Sequence, residues 1–245
     1  EDGPFPALIV IHGGGWRRGD RFKDDVVPLA EMYARRGIAS FSIDYRLSTR
    51  DAHSWPANIQ DVVCAIRHIK ENATRYRIDP ERVSVLGHSA GGHLTAMAGT
   101  LQGDEPFLEG ACGNPGISSR MALAVAYAGP GDVGLMGTLS SSRSQRAVTQ
   151  FVGSTYGETP DRWRRAFASF YISSDDTVFV IVHGTEDGTV PYQVSVSFSR
   201  QLKAAGVEAH LLLIEGGRHG IQSDKTQNLG VRRVLEPLMR RILRP

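Results

Sequence analysis

Cysteine is nearly missing from this chain: its 245 residues hold only Cys64 and Cys112. Two cysteines cannot build a disulfide framework, and no cluster of Cys and His has the spacing of metal ligands. The pair reads as two free thiols or a single bridge, and no metal is expected. Long apolar runs are missing too. None approaches the ~18 residues of a membrane span, so a transmembrane helix is excluded. Nor does one sign of charge dominate, since 28 Lys and Arg stand against 26 Asp and Glu for a net +2. A nucleic-acid partner would need a concentrated basic face and is excluded as well. The locally basic RRVLEPLMRRILRP at the end reads as an amphipathic helix with cations at its negative pole. There is no internal repeat and no signal peptide, which favours the cytoplasm. The opening EDGPFPALIVIHGG, however, enters a strand almost at once, as though in mid-domain.

What the chain does have is short β-branched runs alternating with helical patterns. ALIVI (7–11), IASFSI (38–43), RVSVLG (82–87), ALAVAYA (122–128), TVFVIVHG (177–184) and AHLLLIEG (209–216) each read as a strand. Their hydrophobicity is continuous rather than alternating, as expected of strands covered on both faces. Between them, Ile59, Val62, Val63, Ile66 and Ile69 form one helical stripe. Residues 94–101 read as a short helix, and a further helix starts at Pro191 and stops at Gly206. The order predicts an α/β fold: a mostly parallel, doubly wound sheet with helices on both faces and loops gathered on one rim. One domain spanning 1–245 accounts for the length. Residues 129–174 exceed a minimal crossover and read as a cap-like insertion that would shape a pocket.

On that rim, Gly87-His88-Ser89-Ala90-Gly91 fits G-x-S-x-G where a strand meets a helix. Neighbouring Cβ atoms would clash in the strained turn that projects a serine Oγ, which explains the glycines. A serine hydroxyl needs a base. Of eight histidines, His219 in IEGGRHG follows the last strand and can lean back toward Ser89. His183 reads as structural. The base needs a carboxylate to hold its tautomer. Asp187 and its neighbour Glu186 both lie in HGTEDGTVP, and Asp187 is preferred because Ser89, Asp187, His219 is the order of α/β-hydrolases. Acyl transfer also needs donors for an oxyanion. His12-Gly13-Gly14-Gly15-Trp16 supplies them after the first strand, and the Ala90 N–H can add another. Gly15, Trp16 and His88 are candidates for the pocket wall, with core as the other reading of Trp16, while His12 reads as a brace for the loop.

Together HGGGW, DYRL (44–47), GHSAGG, HGTEDGTVP and GGRHG resemble the α/β-hydrolase esterases. The likeness is greatest to the acetyl-esterase and feruloyl-esterase-like and hormone-sensitive-lipase-like group, and it spans nearly the whole chain. It implies a serine carboxylesterase acting on a small-molecule ester with short acyl groups, without a cofactor. Ser89 would be the nucleophile, Asp187 the acid and His219 the base, with an oxyanion hole from the Gly13–Gly15 loop, Gly13 and Gly14 preferred, and Ala90, and with Asp44, Tyr45 and Arg46 bracing the rim. HGGGW also fits the HGGxW motif of kynurenine formamidases, so an arylformamidase is the alternative. A hydrolase-like binding protein without catalysis is a remoter one. The chain departs from the group in two places. Almost no residues precede the HGGG strand, so the sheet is expected to be short of its first strands. Phe170 also stands where related sequences often carry proline. A first strand at the sheet edge would leave that edge open to pair with a second copy as a homodimer.

Overall fold

The computed structural model describes residues 3–23, 26–109, 114–132, 136, 139, 141–220 and 225–243, with side chains left aside at 225–230, 232 and 243. Six strands form one sheet: β1 (Phe5–Ile11), β2 (Ala39–Ile43), β3 (Ile78–His88), β4 (Leu123–Tyr127), β5 (Val178–Gly184) and β6 (Ala209–Ile214). Their order is β2-β1-β3-β4-β5-β6, and every pairing is parallel.

Successive residues of a strand face opposite ways, and both faces are dry here. Ala7, Ile9 and Ile11 join one apolar cluster and Leu8 and Val10 the other, each no more than 1% exposed. The first layer holds α2 (Ala57–Glu71), whose predicted stripe is fully buried, and α4 (Ala90–Thr100), buried at every position. Between them lies the short α3 (Ala73–Tyr76). The second layer holds α1 (Val27–Ala34) and α8 (Lys225–Leu243), through Leu29, Tyr33, Val231 and Leu235. Each large apolar side chain so buried contributes about 1.5–3 kcal/mol relative to leaving it in water. Three further helices among the described residues are α5 (Ser142–Val152), α6 (Pro160–Arg165) and α7 (Gln193–Ala204). Helix α7 stops where expected: Gly206 takes φ +86°, and the Val207 N–H folds back to the Leu202 carbonyl at 3.0 Å.

Helix α4 explains the run of small residues after Ser89. A Cβ on Gly91 would lie 2.3 Å from the Ile11 carbonyl oxygen, so only glycine lets α4 rest against the end of β1. That contact brings the first and third strands' loops together.

Three expectations change. The first strand is not at the edge: β1 pairs with β2 on one side and β3 on the other. The chain leaves β1 through α1, lays β2 on the outer flank, then crosses back to β3. The edges are therefore β2 and β6, and the argument for a homodimer from an open β1 edge goes with it. The nucleophile helix begins at Ala90, ahead of the expected 94, and the last helix begins at Lys225, well before 232. Residues 129–174 contribute α5, α6 and a 3-10 turn at Ala168–Phe170. Of the two cysteines, Cys64 sits on α2, and Cys112 lies outside the described residues.

Candidate active site

The sheet order reverses between β1 and β3, and a crevice opens at the carboxyl ends of strands at such a point. His12-Gly13-Gly14-Gly15 leaves β1 there, and Ser89 leaves β3 beside it. Ser89 has φ +57° and ψ −118°, a conformation that L-residues rarely adopt. Two backbone bonds hold it: its N–H donates to the Tyr127 carbonyl of β4 at 2.8 Å, and its carbonyl accepts from His93 N–H at 2.9 Å. The strain is thus carried by a turn clamped to the neighbouring strand and the following helix.

His219 arrives from the loop after β6 and Asp187 from the loop after β5. His219 Nδ1 lies 2.7 Å from Asp187 Oδ2, and His219 Nε2 lies 2.9 Å from Ser89 Oγ. A carboxylate only accepts, so Nδ1–H donates and Nε2 is left to accept the serine proton. Glu186 is exposed and makes no such bond. Its backbone N–H instead donates to the Gly217 carbonyl at 2.9 Å, tying the acid loop to the histidine loop.

Asp187 is saturated with donors. Its Oδ1 accepts from the N–H groups of Thr189 (2.8 Å) and Val190 (2.9 Å). Its Oδ2 accepts from His183 Nε2 (3.1 Å) as well as from His219. Burial alone would raise the carboxyl's pKa. The hydrogen bonds from His183 and His219, the charge of His219 and the Val190 N–H outweigh it and hold Asp187 well below the usual carboxylate range.

His183 was read as structural, and its contacts reach further than that. It is wholly buried. Its Nε2 faces two acceptors, Asp187 Oδ2 and the Val190 carbonyl at 2.9 Å, so that nitrogen carries the proton. Its Nδ1 then accepts from Ser195 Oγ at 2.6 Å. Ser195 on α7 thereby sets the tautomer that steadies the acid. The signal was present as His and Asp four residues apart in HGTED, but that spacing is common in loops. His88 has an unforeseen contact too: its Nε2 donates to the His219 carbonyl at 2.7 Å. It stands on the cavity wall and fastens the loop that carries the base.

The glycine loop lies close against the nucleophile. A Cβ on Gly13 would stand 3.3 Å from Ser89 Cβ, and Gly14, at φ +139°, leaves a Cβ only 1.8 Å from the Arg18 carbonyl oxygen. Gly14 and Gly15 line the cavity, and Ala90 is the first residue of α4, where N–H groups lack intrahelical partners. Tyr45 stacks on His12 at 4.3 Å and donates its hydroxyl to the His12 carbonyl at 3.1 Å, which braces the loop from below.

Of the two readings of Trp16, pocket wall or core, the structure shows core. It is 3% exposed, stacked 4.6 Å from Phe151, and its Nε1–H donates to His93 Nδ1 at 3.1 Å. Its bulk anchors the loop's far end in the core. Phe170 is 55% exposed and lines no part of the cavity among the described residues.

The cavity over Ser89 and His219 measures about 590 Å³. Its far wall comes from the 129–174 segment: Ser141, Arg143, Ser144 and Ala147 of α5 and its cap. Ser144 Oγ donates to the Thr189 carbonyl at 2.7 Å, joining that wall to the acid loop. Among the described residues no group of His, Cys, Asp and Glu is arranged to hold a metal ion, and no helix is long and apolar enough to cross a membrane.

The chain is similar to known proteins in sequence and in fold. The family model described as BD-FAE matches residues 1–202. Esterase LipQ of Mycobacterium tuberculosis is 32% identical over 206 residues, covering 82% of this chain and 46% of that protein. The chain spans about half the length of the curated relatives it matches. A truncated carbohydrate esterase from gut microbiota superposes with a TM-score of 0.81 at 28% identity, over 98% of this chain and 87% of that one. An acetyl ester-xyloside bifunctional hydrolase from Caldicellulosiruptor lactoaceticus gives 0.80 at 25% identity, over 99% and 85%.

Proposed function

This chain belongs to the BD-FAE family of α/β-hydrolase esterases, and from that premise we propose that it is a serine carboxylesterase for short-chain acyl esters. The observation that carries the reading is the unbroken relay from Asp187 through His219 to Ser89, at 2.7 and 2.9 Å. Ser89 Oγ attacks the ester carbonyl as His219 Nε2 takes its proton. The charge gathers on the carbonyl oxygen, where amides of Gly13, Gly14 and Ala90 receive it. His219 then gives the proton to the departing alcohol. Water, deprotonated by the same nitrogen, attacks the acyl-enzyme and releases the acid. Asp187 stays ionised throughout and stabilises the imidazolium.

The short-acyl preference rests on the cavity. Besides His88 and His219, its walls are glycines, serines, basic side chains, Thr189 and a single alanine, and this lining offers a long alkyl chain no run of apolar side chains. The structural relatives named for carbohydrate and acetyl esters point the same way. Initial rates for para-nitrophenyl acetate, butyrate and decanoate, run beside N-formylkynurenine, test the reading. We expect acetate or butyrate to be turned over fastest. Decanoate faster than both would refute the short-chain claim, and N-formylkynurenine faster than all three esters would make the chain an arylformamidase.

A further inference from the structure

We propose that this site selects esters bearing a carboxylate, with Arg17 as the residue that reads it; the inference rests on the esterase reading above. Arg17, Arg18, Lys23 and Arg143 all line the cavity that holds Ser89, and among the described residues no Asp or Glu lines it. Among the described residues none of the three arginines is in an ion pair, whereas Arg21, Arg46, Arg82 and Arg120 all are. The chain's near balance of 28 basic and 26 acidic residues makes such a gathering of basic side chains around one cavity a local feature, not an average one.

Arg17 is more than a loose surface charge. It is half-buried, and its Nη1 donates to Gln150 Oε1 at 3.3 Å. Gln150 is held in turn by its Nε2 donating to the Thr49 carbonyl at 2.6 Å. A Cβ placed on Gly15 would lie 3.8 Å from Arg17 Nε and 3.9 Å from Nη2, so the guanidinium flanks the glycine loop itself. Its partner Gln150 is neutral, so the charge is held in place without being cancelled. Across the cavity, α5 turns its amino-terminal end toward the same space. Ser141 caps that end by accepting from Ser144 N–H, and the first turn carries no acid. That end contributes partial positive charge. A planar guanidinium beside the reacting loop, with a positive rim opposite, matches a carboxylate in fork geometry.

Matched ester pairs test this. Para-acetoxybenzoate against para-acetoxybenzamide places the charge on the alcohol half; monomethyl succinate against methyl succinamate places it on the acyl half. At low ionic strength the charged member of at least one pair should show kcat/KM about tenfold or more above its neutral partner, mainly through KM. In ~0.5 M salt the preference should shrink severalfold. Arg17→Met should bring the ratio close to one, and Arg143→Gln, at an exposed position that folding does not need, should lower it a few-fold. Neutral members turned over as fast as charged ones in both pairs would overturn the proposal, as would a preference untouched by salt and by both substitutions. If para-nitrophenyl acetate is hydrolysed and neither charged ester is, the carboxylate claim fails and the esterase reading stands. If no ester is hydrolysed, the esterase reading fails and takes this inference with it.

Discussion

Lowering the pH should loosen the scaffold of the active site through one buried histidine. His93, on α4, is completely buried between the glycine loop and residues 166–167. Its Nε2 donates to the Ala166 carbonyl at 2.7 Å, and its Nδ1 accepts from Trp16 Nε1–H at 3.1 Å. A proton added to Nδ1 would face the indole N–H in a site closed to bulk solvent. Burial lowers the imidazole from 6.5 to about 4, opposed only in part by the Ala166 carbonyl. Because the folded value is depressed, the unfolded chain takes up the proton first. The neutral histidine's contribution is therefore intact above about pH 6.5 and is lost as the pH falls to about 4. At about 1.4 kcal/mol per pH unit, the loss amounts to about 3 kcal/mol. Urea unfolding of the wild type and of His93→Gln, whose amide can both accept and donate, isolates this loss. Carboxylates titrate alike in both proteins and cancel in the difference. The gap between the two should change by about 3 kcal/mol between pH 7 and pH 4. If both lose stability in parallel over that window, the assignment to His93 is wrong.

Other perturbations probe the site's supports. Gly91→Ala forces a methyl group to 2.3 Å from the Ile11 carbonyl oxygen, so α4 must shift from β1. We expect a loss of about 1–3 kcal/mol in thermal unfolding and a drop in kcat, since Ser89 and the glycine loop move apart. His183→Leu removes a donor from Asp187 Oδ2 and should cut kcat about tenfold, with His183→Asn restoring part of it. Asp187→Asn should lower kcat by about 10³–10⁴-fold with a smaller change in KM, because the amide favours the wrong histidine tautomer. Asp187 is depressed below its ordinary 3.8, so its stability contribution is present above that pH and is lost only as the pH falls through its folded value. The wild type's advantage over the amide variant in urea should therefore persist at pH 5 and decline only in stronger acid.

Much of this architecture was legible because parallel strands, covered on both faces, leave uninterrupted β-branched runs. All six runs became strands, from Phe5–Ile11 to Ala209–Ile214. The residues of the relay were legible for a different reason. Each follows a strand at its carboxyl end, and G-x-S-x-G carries the steric reason for its own glycines. What could not be read locally depended on where the strands went. Nothing in ALIVI reveals that β2 returns to its outer side, because lateral order is decided by crossovers and not by the strand itself. Trp16 stayed open between pocket wall and core because an aromatic after a glycine loop can turn either way. Its partners His93 and Phe151 are distant in sequence. The contacts of His183 and Arg17 could not be read for the same cause: they come from neighbours on other elements, Ser195 for one and Gln150 for the other.

The central claim is that Ser89 is the atom that becomes acylated. Incubating the protein with a fluorophosphonate and mapping the modified peptide by mass spectrometry tests it directly. The account predicts a single phosphonylated residue, Ser89, together with loss of para-nitrophenyl acetate hydrolysis, and no labelling of a folded Ser89→Ala variant. A folded wild-type protein that resists the probe, or a Ser89→Ala variant that retains esterase activity, would contradict it.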